Sequence, residues 1–131
     1  MHGILKNNPL KEVNIEMIRR IEDCESEIIE NMRGGDGCVT KEVLLTPAEL
    51  YDKGRLYAVL SLEPGASIGY HIHEGEMESY HIIGGIAEYY DGEETVTLRP
   101  SDTTLTPDGE GHSIKSIGDV PLVLIAQIIY K

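Results

Sequence analysis

From Arg55 to Tyr130 the chain breaks into short runs of β-branched and aliphatic residues, each closed by glycine, proline or aspartate. This punctuation constrains the fold more than any other feature. The runs are Arg55 to Leu62, Ser67 to His73, Met77 to Ile83, Ile86 to Tyr90, Glu93 to Leu98, Thr103 to Thr106, His112 to Ile117 and Leu122 to Tyr130, with Cys38 to Leu45 ahead of them. Pro64-Gly65, Gly84-Gly85, Pro107-Asp108-Gly109 and Gly118-Asp119 separate them. Asp91-Gly92 is a hairpin signal, because both residues tolerate positive φ. Many short strands with regular turns predict an all-β fold, an antiparallel sandwich or barrel.

One helical segment is expected near the start, where Ile15, Ile18 and Ile21, then Ile28, Ile29 and Met32, recur at spacings near three and four. Arg33 to Gly37 breaks it, and Gly34-Gly35-Asp36-Gly37 reads as a simple turn, since no lysine or helix start follows to hold a phosphate. Thr46-Pro47 with Glu49 has the form of a helix cap and predicts one short helical turn. The chain of 131 residues is long enough for one core and too short for two ordinary ones. Residues 1–37 are expected to form a helical or extended arm and 38–131 the barrel.

Eleven basic against twenty-three acidic residues give a net charge of −12, which repels phosphate backbones and anionic lipid. Nucleic acid and membrane are therefore not expected as partners. No apolar run approaches the ~20 residues needed to cross a bilayer, and Met1 to Asn8 lacks a signal-like apolar stretch, so the expected address is the cytoplasm. There Cys24 and Cys38, outside any CxxC spacing, should stay thiols.

Two stretches carry the chemistry. On a strand, residues two apart share a face with Cα atoms roughly 6.5–7 Å apart, so the imidazoles of His71 and His73 can meet at one ion. Tyr70 and Ile72 then face outward. The Glu74-Gly75-Glu76 turn returns an antiparallel strand that presents Glu78, Tyr80 and Ile82 on one face, although Glu76 is an alternative to Glu78 as ligand. His112 opens another strand, with Ile114 and Ser116 on its face. His81 falls out of phase and is read as exterior, and His2 has no case.

Gly65, His71, His73, Glu78 and Gly85 match all five positions of G-x5-H-x-H-x4-E-x6-G, the first motif of the cupin family, which this chain resembles. Pro107, Gly109 and His112 meet the second motif, G-x5-P-x-G-x2-H-x3-N, while Ser101 replaces its glycine and Ser116 its asparagine. The resemblance implies an antiparallel double-stranded β-helix, the cupin or jelly-roll barrel. It also implies that His71, His73, Glu78 and His112 hold one divalent metal in the barrel mouth. Three imidazoles and a carboxylate suit Mn, Fe, Co, Ni, Cu or Zn. Four protein ligands leave two positions open on an octahedral ion.

The expected function is that of a metal-dependent enzyme acting on a small polar or anionic metabolite by oxygenation, isomerisation or decarboxylation. The alternative is a barrel that binds or senses a metal or small molecule without turnover. By strand phase the ligand pocket should comprise Tyr80, Ile82, Ile114, Ser116 and Gln127, with Tyr80 the acid–base candidate. Between Arg55 and Lys115 the only basic residue is Arg99, at a turn, so an anion should rely mainly on the metal; Arg55 contributes only if its strand turns it inward. The exterior phase carries Tyr70, Ile72, His81 and Ile83, and cupins commonly pair through such a face, so a homodimer is expected.

Overall fold

The structure is a computed structural model that describes residues 16–131; His2 and Ile15 lie outside them. Among the described residues ten strands form: β1 (Ser26–Glu30), β2 (Cys38–Val43), β3 (Gly54–Leu62), β4 (Ser67–Ile72), β5 (Glu76–Gly84), β6 (Ala87–Tyr90), β7 (Thr95–Leu98), β8 (Thr103–Thr106), β9 (Gly111–Ser116) and β10 (Leu122–Tyr130). They build a six-stranded sheet in the order β1-β2-β3-β10-β5-β8 and a four-stranded sheet in the order β4-β9-β6-β7, with every pairing antiparallel. The two sheets enclose Leu60, Leu62, Tyr80, Ile82, Leu122 and Leu124 from one side and Ile68, Ala87 and Ile114 from the other. Alternation along β5 and β10 is nearly strict, inward residues buried and outward ones not, as period-two strands with one covered face require.

Among the described residues the helix expected near the start is not found. Ile21–Asp23 makes one 3-10 turn, and Ile28 and Ile29 lie in β1, paired with Thr40 and Val39 of β2. A ladder with β2, closed by the turn of residues 31–37, satisfies backbone groups that a short helix would leave open at both ends. The three-and-four spacing was therefore overridden by a tertiary partner: Ile28 stays exposed and Ile29 is only half-buried. The Asp91-Gly92 hairpin forms with a longer loop than a two-residue turn. Asp91 accepts hydrogen bonds from the amides of Glu93 and Glu94, and β7 begins only at Thr95. No helix among the described residues is long and apolar enough to cross a membrane.

The Thr46–Glu49 cap forms as a reciprocal box. The Thr46 amide donates to Glu49 Oε1 at 2.9 Å and the Glu49 amide to Thr46 Oγ1 at 3.3 Å. Arg19 grips the same carboxylate at 2.7 and 2.6 Å, and this guanidinium, aided by the Thr46 contacts against burial, lowers the Glu49 pKa to about 2. Because the folded value lies below the ordinary 4.5, the contribution is complete above that pH and is lost as pH falls towards 2. Glu49→Gln should cost about 1–2 kcal/mol in urea unfolding at neutral pH, with the difference from the parent protein vanishing towards the acid limit.

Candidate metal centre

β4 brings its histidines inward by a bulge. Ile68 pairs with Ile114 but His71 with His112, so β4 carries one extra residue between Ile68 and His71. Without it, Ile68 and His71, three apart, would face opposite ways. With it, Ile68 packs in the core while His71 and His73 point between the sheets and Tyr70 and Ile72 lie outside, 49% and 55% exposed. Glycine is needed at the bulge: a Cβ on Gly69 would run into the Arg33 carbonyl, and one on Gly35 into that of Ser67. The turn of residues 31–37 thus lies directly on β4.

The four-stranded sheet and its edge supply His71, His73 and His112, and β5 of the other sheet supplies Glu78. Glu78 Oε1 lies 2.9 Å from His112 Nε2, 3.0 Å from His73 Nε2 and 3.7 Å from His71 Nε2. All four donor atoms fall within 4.8 Å of one another. Each ring is set by its other nitrogen. His71 Nδ1–H donates to the Gly69 carbonyl at 2.8 Å and His73 Nδ1–H to Glu76 Oε2 at 2.6 Å, both acceptors only, which leaves each Nε2 a lone pair. His112 Nδ1 faces the hydroxyls of Tyr89 at 2.7 Å and Thr106 at 2.9 Å, which can take its proton in the same way. The Nε2 atoms of His73 and His112 are 3.2 Å apart. Lone pairs and a carboxylate oxygen so close repel one another unless positive charge sits among them, and a divalent cation supplies it to all four donors at once.

Burial alone would raise the Glu78 pKa, but contacts with His112, His71 and His73 outweigh it and hold the carboxyl well below the usual carboxylate range. His73 is pushed up, first by Glu78 and then, against burial, by Glu76. Burial pushes His112 down and keeps it neutral, as a ligand must be.

Glu76 is not a member of the quartet. It joins His73 Nδ1 to Arg55, whose Nε and terminal nitrogen reach it at 2.7 and 2.8 Å, and this guanidinium lowers its pKa. Glu76→Gln should weaken metal binding by about 10–100-fold without removing a ligand, measured by competition with a chromogenic chelator.

A cavity of about 80 Å³ reaches His71, His73 and Glu78 and is walled by Tyr80, by Met32, Leu56, Leu60 and Ile128, and by Arg33, Lys41 and Arg55. Of the pocket expected by phase, only Tyr80 lines this cavity. Its ring stacks on His112 with centroids 4.9 Å apart and planes 16° apart, and burial pushes its hydroxyl well up, so it stays protonated. Ile82, Ile114 and Ser116 do face inward but are spent in the packed core. Gln127 is corrected outright: the inward phase of β10 is Leu122, Leu124, Ala126 and Ile128, which turns Gln127 to the other face. Arg55 is exposed on β3, but its guanidinium reaches the cavity wall through Glu76. Arg99 remains at its turn and His81 remains exposed, bonded to Thr103. Arg33, Tyr89 and Thr106 were missed; alternation along β6 would have found Tyr89, but no local signal marks Arg33. A hollow of about 460 Å³ along Glu25–Glu27, Lys41 and Val43 is larger, but among the described residues no group of metal-ligating side chains converges there.

Residues 58–128 match the family model of the cupin domain. An oxalate-binding protein of Thermotoga maritima is 40% identical over 113 residues, which is 86% of this chain and 93% of that protein. The crystal structure of a protein described as a predicted oxalate decarboxylase, also from Thermotoga maritima, superposes with a TM-score of 0.85 at 39% identity, covering 88% of this chain and all of the other. The cupin domain of Schizosaccharomyces pombe Cnp3 shares the fold, with a TM-score of 0.65 at 16% identity over 80% of this chain and 69% of its own.

Proposed function

The chain belongs to the cupin domain family, and from that premise we propose that it holds one divalent metal through His71, His73, Glu78 and His112 and binds a small dicarboxylate of the oxalate type on that metal. The observation that carries this reading is the convergence of three Nε2 atoms and one carboxylate oxygen beside a cavity of only about 80 Å³ walled by three cationic side chains. Drug-sized ligands usually occupy roughly 300–1,000 Å³, so an anion of a few heavy atoms suits this cavity better than a sugar or a nucleotide. The similarity to an oxalate-binding protein points the same way. Once bound, the metal would act as a Lewis acid with coordination positions to spare. The chain's own part is to exclude bulk water with Leu56, Leu60 and Ile128 and to balance the ligand's charge.

Oxalate should raise the melting temperature of the metal-loaded protein by several degrees and leave the chelator-treated protein unmoved. A hundredfold excess over Kd is worth about 2.7 kcal/mol. The shift should survive Arg99→Ala and fall with Glu78→Gln; no metal-dependent shift with any small dicarboxylate overturns the reading.

Turnover is the second reading, by decarboxylation or oxygenation. Tyr80 favours it, a protonated hydroxyl in the cavity wall able to donate to a developing charge. Release of carbon dioxide from labelled oxalate, lost in Tyr80→Phe with metal content intact, would establish it. Binding without turnover is the reading the geometry supports best, because Glu76, the other acid–base group nearby, is tied up by Arg55.

We also place the protein in the cytoplasm as a homodimer. Tyr70 and Ile72 of β4, exposed beside Tyr90 on the four-stranded sheet, support the pairing. His81 and Ile83 lie on β5 of the other sheet, so the four residues do not make one patch. A monomer mass by light scattering at micromolar concentration would overturn the dimer.

A further inference from the structure

Three cations wall the cavity, and they are not equivalent. Arg55 is committed to Glu76, and Lys41 pairs with Glu27 at 2.9 Å. Arg33 has no hydrogen bond or ion pair among the described residues, although its charge is felt at the buried Tyr80 hydroxyl. Its backbone is also unusual. Arg33 and Asn31 sit at φ 54° and 50°, the left-handed region that a residue with a Cβ seldom adopts. The surroundings enforce it: the Asn31 side chain donates to the Gly35 carbonyl at 3.0 Å, the Ser67 amide donates to the Asp36 carbonyl at 2.8 Å, and Gly35 and Gly69 are in close backbone approach. A guanidinium with no partner among the described residues, exposed in the cavity wall on a turn whose backbone is pinned against β4, is free to receive an anion.

We infer that Arg33 is the specificity-determining residue of this site: it receives the second carboxylate of a dicarboxylate whose first carboxylate is on the metal. The inference rests on the proposed function. It adds that discrimination between di- and monocarboxylates comes from the turn of residues 31–37, which lies outside the residues matching the family model. A guanidinium presents a fork of donors that pairs two-to-two with a carboxylate, which an ammonium cannot reproduce.

Calorimetric titration of oxalate and of formate into manganese-loaded protein tests it, with metal content measured for each variant. Arg33→Gln should weaken oxalate at least tenfold and formate less than threefold at unchanged metal content. Arg33→Lys should recover part of the oxalate affinity, and Lys41→Ala should leave the oxalate-to-formate ratio as in the parent. Oxalate binding by Arg33→Gln within twofold of the parent overturns the assignment, as does a parallel loss of both anions, loss of metal in both Arg33 variants, or transfer of the effect to Lys41→Ala. If the parent protein binds no oxalate, the proposed function falls and the inference with it; if the parent binds and Arg33→Gln binds equally, only the inference falls.

Discussion

Replacing His112 by alanine is expected to abolish stoichiometric metal binding and to destabilise the metal-free protein by about 2–4 kcal/mol. His112 is fully buried, stacks on Tyr80, and holds its Nδ1 against two hydroxyls while its Nε2 meets Glu78. Truncation removes one donor of four, leaves a void beside Tyr80, and strips Tyr89 and Thr106 of a partner, although these two still bond each other at 2.9 Å. A metal at a thousandfold excess over Kd stabilises the parent by about 4 kcal/mol, and the variant should show none of this increment in melts with and without manganese. Full metal occupancy in the variant, after a chelator challenge, would falsify the coordination.

The same melts carry a pH signature. The folded-state pKa of His73 is raised, by Glu78 first, so in the metal-free protein its protonated form contributes stability that is complete below the ordinary 6.5 and is lost as pH rises through the raised value. Metal needs the neutral imidazole, so its increment grows over that same interval and shrinks as pH is lowered through it. An increment independent of pH across this window would show that protons and metal do not compete for His73.

Gly69→Ala should cost about 3 kcal/mol or more and take metal affinity with it. The new Cβ would meet the Arg33 carbonyl with no flexible atom to yield, so either the turn of residues 31–37 lifts from β4 or the bulge opens. Opening the bulge rotates His71 out of phase with Ile68, and lifting the turn withdraws Arg33 from the cavity. Gly75→Ala is the control. Its φ is 74° with open space around the added atom, so only the left-handed conformation is penalised, about 1 kcal/mol. Equal losses in urea unfolding for the two variants would mean that the close approach at Gly69 does not constrain the protein.

Two departures from the family's second motif left physical traces. Ser101, where the motif has glycine, keeps the glycine-like backbone at φ 81°, and Ser116, where it has asparagine, buries a hydroxyl with no hydrogen-bond partner. Neither touches the ligands. The turn keeps its geometry under a residue that suits it poorly, and the Ser116 hydroxyl is left without the hydrogen bond that burial calls for among the described residues.

The strands were legible in the chain because they are written in short-range periodicity, which also supplied the His-x-His pair; the full quartet came from the resemblance to the cupin motifs. Two-residue alternation sorts faces, turn residues mark ends, and the His-x-His pair needs only one strand to bring two rings together. What surrounds the quartet was not legible. Glu76 and Glu78 share a face of β5, so alternation could not separate them; Arg55, reaching across from β3, claimed Glu76 and left Glu78 to the histidines. Ile28 and Ile29 carry a helical spacing that lost to a ladder with β2. Gln127 was misplaced because the face a strand buries is set by the sheet opposite, and its own residues, apolar on both sides, do not declare it. Arg33 lies 38 positions before His71 and reaches the same cavity only because Gly35 and Gly69 let two backbones touch. Local spacing and the motif resemblance marked which side chains could bind a metal; contacts between segments far apart in the chain decided which carboxylate meets the three histidines and which cations wall the cavity, because burial and charge pairing are properties of the assembled sheets.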